Sequence, residues 1–240
     1  MDTKLESLEW VVRRYTQGLE CSKSRVLALF SNHYPAIQAQ ADHLESLVGC
    51  QAPARILDLA CGSGLVTIEL ALRGYQAIGL DCTPAMLELA HTLAVQKGAN
   101  VSWVLGDMRT IRDENEMDFV FLRDVVFGMF GSRKEHELTV RNIARALKPG
   151  GRMLLEVYNR TFAVTHGIET CLHYDPATDR FIENKPKEEP TESIGPPSND
   201  ELEGMLARNS LKVIKRDGWK WPEDPDPPPW RADIIVAEKI

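Results

Sequence analysis

Three aspartates stand where short apolar runs end, and each keeps company with glycine. Asp58 leads Asp58-Leu59-Ala60-Cys61-Gly62-Ser63-Gly64, directly after RILDLA (55–60) begins and just before a helical stretch. Glycine lets the backbone turn tightly and approach a ligand with no side chain in the way. An acid ahead of such a turn is a poor neighbour for phosphate and suits a cationic ligand. Asp81 follows the run YQAIGL (75–80), where a carboxylate can accept both hydroxyls of a ribose. Asp107, in Gly106-Asp107-Met108 after VSWVL (101–105), can accept a hydrogen bond from an adenine amino group. Any one of these reads equally well as a turn or a helix cap; three in register make a site.

The elements that must position them follow from periodicity. Apolar runs at 55–60, 75–80, 101–105, 117–122 and 152–158 alternate with amphipathic stretches at 65–74, 83–98 and 134–147. That rhythm predicts a parallel sheet with helices on both faces. Pro149, Gly150 and Gly151 are expected to stop the third helix and turn the chain into the fifth strand. Residues 1–48 read as an N-terminal helical cap, with Pro35 near a break, and 49–240 as the main domain. The rhythm lapses over about 160–197, read as an insertion over the C-terminal edge of the sheet, with two short strands around Asp175-Pro176. A helix restarts at Ser198, whose Ser-Asn-Asp-Glu run is an N-cap signature, and strands at 211–219 and 232–240 finish the sheet.

Bulk properties narrow the partners. The formal net charge is −7, with 43% apolar and 26% charged residues among 240, which offers no general field for a phosphate backbone. Five cysteines without a CxxC spacing read as reduced thiols, neither a disulfide framework nor a zinc site. No apolar run approaches the length of a membrane span, and MDTKLESLEW lacks the basic start and apolar stretch of a signal peptide. A cytoplasmic protein that binds neither nucleic acid nor membrane is expected.

The blocks ILDLACGSG (56–64), GLD (79–81), GDM (106–108) and LKPGGRMLLE (147–156) resemble, in order and spacing, the successive motifs of class I S-adenosylmethionine (SAM)-dependent methyltransferases. LKPGGRMLLEVYNR followed by HYDPATDR is further similar to the glycine N-methyltransferase-like, small-molecule group. The resemblance implies a Rossmann-like α/β fold with a seven-stranded, mostly parallel sheet in the order 3-2-1-4-5-7-6, strand seven antiparallel. It implies SAM as cofactor, S-adenosylhomocysteine (SAH) as product, and methyl transfer to a small molecule by in-line displacement. Asp58, Ala60, Cys61, Gly62 and Gly64 would then hold the methionine portion and Asp81 the ribose. Gly106 and Asp107 would take the adenine, with Cys82, Met86 and Met108 lining the pocket and Arg123 beside it.

Two other readings are weighed against this one. A nicotinamide-binding turn needs a third glycine where this chain has Thr67. Asp226-Pro227-Pro228-Pro229-Trp230 resembles the Asp-Pro-Pro-aromatic motif of adenine methyltransferases, but that motif belongs at the end of strand four, which here reads Phe121-Leu122-Arg123-Asp124. The proline run is read instead as a stiff connection. Displacement at a sulfonium needs alignment and desolvation more than a fixed base, so the catalytic candidates are Asp124, Tyr158 and His166, with Phe127, Asn159 and Arg160 as acceptor contacts. Tyr15 or Trp10 is a candidate lid over the methionine end, and His136 is expected to face solvent. The acceptor atom stays open between nitrogen, oxygen and carbon. Two non-methyltransferase alternatives also stay open: SAM cyclisation, cleavage or related chemistry on this fold, and a non-catalytic SAM-binding subunit. A homodimer contact through the insertion is compatible with the sequence.

Overall fold

The computed structural model describes residues 34–130, 132–167, 172–183, 193–218 and 232–240, together with Val12, Val26, Leu27 and Phe30. The lid candidates Trp10 and Tyr15 and the proline run at 226–230 lie outside the described residues.

Helix α1 (Tyr34–Val48) leads into β1 (Arg55–Leu59), α2 (Leu65–Leu72), β2 (Gln76–Asp81), α3 (Pro84–Lys97), β3 (Val101–Leu105) and β4 (Met117–Leu122). Then come α4 (Arg133–Ala146), β5 (Leu147–Tyr158), α5 (Arg160–His166) and the strands β6 (Leu172–Asp175), β7 (Arg180–Glu183) and β8 (Ser193–Ile194). Helix α6 (Asn199–Arg208), β9 (Leu211–Gly218) and β10 (Ala232–Lys239) close the described chain. The main sheet runs β3-β2-β1-β4-β5-β10-β9. Counting its own strands in chain order, that is 3-2-1-4-5-7-6, and β10 pairs antiparallel with both neighbours while the first five strands are parallel.

Strands covered on both faces must be apolar at successive positions, and the central strands β1, β4, β5 and β10 are. Leu57, Leu59, Val120, Leu122, Met153 and Leu155 meet Val140, Ile143, Leu202 and Leu206 of α4 and α6. The alternate residues Ile56, Phe119, Phe121, Leu154 and Ile234 meet Ile37, Leu44 and Val48 of α1 and Val66 and Leu70 of α2. Residues 34–48 therefore share the core of the sheet. Helix α3 is bounded by Pro84 in its first turn and by left-handed Gly98 at its C-cap, the usual proline-first, glycine-last arrangement.

Two local expectations are corrected. Helix α4 ends at Ala146, ahead of Pro149, and the Pro-Gly-Gly segment already belongs to β5. Leu147 pairs with Met117, the ladder slips a register between Met117 and Phe119, and Gly151 fits where a Cβ would stand 2.8 Å from the Lys148 carbonyl oxygen. The glycines thus make a bulge within the strand. His136 lies on the buried face of α4 at 0% exposure, between the rings of Phe127 and Phe130.

The insertion folds as α5 and a three-stranded antiparallel sheet, β6-β7-β8. Its Phe181 is fully buried in a satellite cluster with Val125, Tyr158, Ala163 and Ile194. Ser198 caps α6 through a reciprocal pair with Glu201, as its sequence predicts.

Candidate active site

The acids converge on the C-terminal ends of β1, β2 and β3. Between β1 and α2 the chain turns through left-handed backbone at Ala60, Gly62 and Gly64. Asp81 ties this turn to the second strand: one carboxylate oxygen accepts the Gly62 N–H at 2.9 Å and the other accepts the Thr83 N–H at 2.8 Å. A Cβ at Gly62 would meet nothing within 4 Å, so the crest of the turn faces open space. Gly64 is different, because a Cβ there would sit 2.3 Å from the Trp103 ring. Gly79 on β2 has the same constraint at 2.4 Å, so Trp103 on β3 packs beneath both glycines.

Asp58 is buried just below the turn and accepts a short hydrogen bond from the Thr67 hydroxyl on α2. Burial pushes its carboxyl up to about 7, against the pull of that hydroxyl and of the nearby Arg123 guanidinium. Thr67 stands at the position where a dinucleotide fold carries its third glycine, and here its hydroxyl orients the acid. Cys61 and Cys82 border the site, and burial raises both thiols, Cys61 well above the ordinary range. They are poor nucleophiles and serve as small walls.

Asp107 caps a short 3-10 turn over Met108–Thr110 by accepting the Arg109 N–H at 2.8 Å. The Arg109 guanidinium folds back on the same carboxylate, with Nη2 2.7 Å from Oδ2 and Nε 3.0 Å from it. Its other arm reaches Glu135 at 2.5 Å. Met86 and Met108 are half-buried, Met86 on the first turn of α3 and Met108 within this turn.

At the end of β4, Asp124 and Val125 are consecutive non-glycine residues in left-handed backbone, with φ of 56° and 51°. A β-branched valine there is strained. The ladder between β4 and β5 ends at Leu122 with Leu155. Beyond it the Asp124 N–H is taken at 3.0 Å by the carboxylate of Glu156, a buried acid of β5. This leaves the Asp124 side chain 80% exposed, while Arg123 is only 13% exposed and reaches Gln40 on α1 at 3.2 Å.

The remaining candidates do not gather there. Phe127 is fully buried in the main core, and its surface is committed to packing. Tyr158 is buried against Gly128, in the cluster beneath the insertion. Asn159 caps α5 by accepting the Phe162 N–H at 3.0 Å. Arg160 binds the Pro196 carbonyl at 2.7 Å and pairs with Asp179, fastening the insertion. His166 is exposed at the end of α5, stacked on Phe162. Asp124 alone among the three catalytic candidates presents its functional group at a strand end that adjoins the acids. Sequence reasoning missed Thr67, Trp103, Arg109, Glu135 and Glu156. Glu156 was visible as a lone acid in the apolar run MLLEVY. A separate groove of about 480 Å³, lined by Arg55, Gln76, Asn100 and Ser102, opens at the N-terminal ends of β1 and β2, away from these groups.

A doubly covered sheet of this order, with a glycine turn and acids at the ends of its first three strands, defines the class I Rossmann-like methyltransferase fold. Residues 56–151 match the family described as "Methyltransferase domain". The chain is 26% identical over 175 residues to an uncharacterized methyltransferase, YcgJ of Bacillus subtilis, covering 72% of this chain and 63% of that protein. It is 30% identical over 121 residues to a ubiquinone biosynthesis O-methyltransferase of Idiomarina loihiensis, covering 50% and 46% respectively. The fold matches a SAM-dependent methyltransferase of Clostridium acetobutylicum with a TM-score of 0.68 at 12% identity, over 94% of this chain and 98% of that one. The chain spans about half the length of the curated relatives it matches, from 41% to 63% of each. Among the described residues no helix is long and apolar enough to cross a membrane, and no cluster of His, Cys, Asp or Glu has the makings of a metal site.

Proposed function

We propose that this protein is a SAM-dependent methyltransferase that modifies a small-molecule acceptor in the cytoplasm. The observation that carries the reading is the line of acids across three strand ends. Buried Asp58 lies next to a backbone turn with open space at Gly62; Asp81 follows, then Asp107. This series fits a ligand with a cationic amine at one end, hydroxyls in the middle and an amino-bearing base at the other, as SAM has. When bound, SAM supplies a methyl group on a sulfonium, whose neutral thioether is a good leaving group.

The chain's own residues have the tasks of binding, aligning and drying. Asp58 offers a negative partner to the amine once its carboxyl is ionised. Each Asp81 oxygen already holds a backbone N–H and keeps an acceptor site for a hydroxyl. Asp107 offers its acceptor to the base. The Asp124–Val125 turn, held from below by Glu156, sets the acceptor side, and Asp124 is the residue there able to take a proton from an acceptor that must lose one. The net charge of −7 argues for a small acceptor rather than a nucleic acid.

The test is mass spectrometry of the purified protein incubated with SAM and a pool of small metabolites. SAH together with a metabolite heavier by one methylene supports the proposal and identifies the acceptor. Methylthioadenosine with no methylated product would mean that SAM itself is cut or cyclised, and would remove it.

A further inference from the structure

Asp107 belongs to a buried ionic group that extends well beyond the ligand pocket. The Arg109 side chain is 2% exposed and lies between two carboxylates, Asp107 and Glu135, the latter 3% exposed. Its Nε is shared by both Asp107 oxygens, at 3.1 and 3.0 Å, and Nη2 adds a bond of 2.7 Å. Nη1 goes to Glu135 at 2.5 Å, and the guanidinium carbon stands 5.4 Å from the Phe130 ring centroid. Glu135 is fixed in turn by the Ser132 hydroxyl at 3.2 Å in the first turn of α4. The backbone is held as firmly, since the Asn142 side chain of α4 donates to the Arg109 carbonyl at 2.7 Å. A fork of this kind fixes a carboxylate in rotation as well as in place. The Asp107 side chain is nevertheless 21% exposed, so part of it stays open.

We infer that Arg109, braced by Glu135, is a positioning residue that aims the Asp107 carboxylate at the 6-position of the cofactor's base and so sets its preference for adenine. The inference rests on the reading of Asp107 as the adenine acceptor. An adenine presents an amino donor at that position, which a fixed carboxylate accepts. A 6-oxo base presents a carbonyl oxygen there and carries its donor on the adjacent ring nitrogen. A carboxylate free to rotate can follow that donor; one held by the fork cannot. Arg109 thereby turns a general hydrogen-bond acceptor into a selective one.

The test compares the affinity of the protein for SAH and for S-inosylhomocysteine, its 6-oxo analogue, by calorimetric titration. Wild type is expected to prefer SAH by roughly ten- to a hundredfold, from one acceptor left facing another. Arg109→Lys keeps the charge but loses the fork, and is expected to narrow the preference to about threefold. The readout is a ratio, so a general loosening of the pocket, which weakens both ligands alike, leaves it unmoved. Should that variant not fold, the pair Arg109→Met and Glu135→Met removes both buried charges together and is read in the same way. Asp107→Asn separates the two layers of argument. If it abolishes the preference while Arg109→Lys keeps it in full, the role of Arg109 is overturned and that of Asp107 stands. If Asp107→Asn leaves the preference intact, the adenine assignment itself falls, and this inference with it.

Discussion

At the scale of single residues the most informative group is Asp58. Its carboxyl is pushed up to about 7 by burial, and Asp124 and Asp81 push in the same direction. In the unfolded chain the same group titrates near 3.8. Between these values the native state holds a proton that the unfolded chain has released, so this group lowers stability as pH rises from about 4 to 7. Above pH 7 the penalty is complete, on the order of 4 kcal/mol at about 1.4 kcal/mol per unit. Asp58→Asn keeps the shape and an acceptor for Thr67 but carries no charge. It is expected to melt several degrees above wild type at pH 8 and to bind SAH at least tenfold more weakly, by scanning calorimetry and titration. A variant no more stable than wild type at pH 8 would show that the buried charge costs nothing. The strand-end acids were legible in the sequence because a charge stands out where an apolar run stops. Arg109, Glu135 and Thr67 were not, because their partners are brought to them by the fold: Glu135 is 26 residues from Arg109, and no spacing rule links them.

At the scale of elements, the packing of β3 against the glycine turn decides which residues that turn and β2 can carry. Gly79 has ordinary strand backbone, so its constraint is steric alone, the Trp103 ring at 2.4 Å and Cys61 Sγ at 3.0 Å. Gly64 adds a left-handed φ of 67° to its clash with the same ring. Gly79→Ala is therefore expected to cost about 1–3 kcal/mol as an overpacked site, and a second change, Trp103→Val, to restore part of that loss. Gly64→Ala in the same Trp103→Val background should stay destabilised by roughly 1 kcal/mol more, the cost of a side chain in left-handed backbone. Denaturant unfolding of each glycine variant with and without Trp103→Val, and of Trp103→Val alone, checks this, and equal rescue at the two positions would sink the distinction. The insertion offers a second case. Asp179 in the β6–β7 turn accepts from Tyr174 at 2.8 Å and pairs with Arg133 and Arg160, so one carboxylate fastens the hairpin to α4 and α5. Asp179→Ala is expected to speed proteolysis in the insertion at least severalfold with little change in SAH affinity; a digest unchanged from wild type would mean that the Phe181 cluster alone holds it. Most strands were legible because residues buried on both faces make continuous apolar runs. The start of β5 was missed because Pro-Gly-Gly has the chemistry of a breaker, and only the register slip beside β4 shows that it forms a bulge. His136 was missed for the opposite reason: the buried face of α4 carries Glu135, His136, Thr139 and Asn142, so hydropathy does not mark it.

Across the whole molecule the buried titrating groups oppose one another, and the acid response of the protein follows from their sum. His136 is held neutral by burial, its imidazole lowered from 6.5 to about 4. Between those values the unfolded chain binds a proton that the native state does not, so stability falls as pH drops from 6.5 towards 4. His43 is lowered for the same cause and acts in the same direction. Asp118, beside the Lys148 ammonium, and Glu201, beside Arg133, have lowered carboxyls, and they add losses nearer the bottom of the range. Asp58 has the reverse sign over nearly the same interval, gaining about as much on acidification as His136 loses. Wild type should therefore have a melting temperature that changes little from pH 6.5 down to about 4.5 and falls steeply only below. Removing one side of the balance exposes the other. In Asp58→Asn the decline should begin near pH 6.5 and reach roughly 2–3 kcal/mol by pH 4. In His136→Gln the slope should reverse, with stability rising as pH drops towards 4.5. Thermal melts of the three proteins at half-unit steps from pH 4 to 8 measure this. If the Asp58→Asn and wild-type curves run parallel through that range, Asp58 does not hold a proton in the native state, and the charge that the proposed cationic ligand would meet is already present without one.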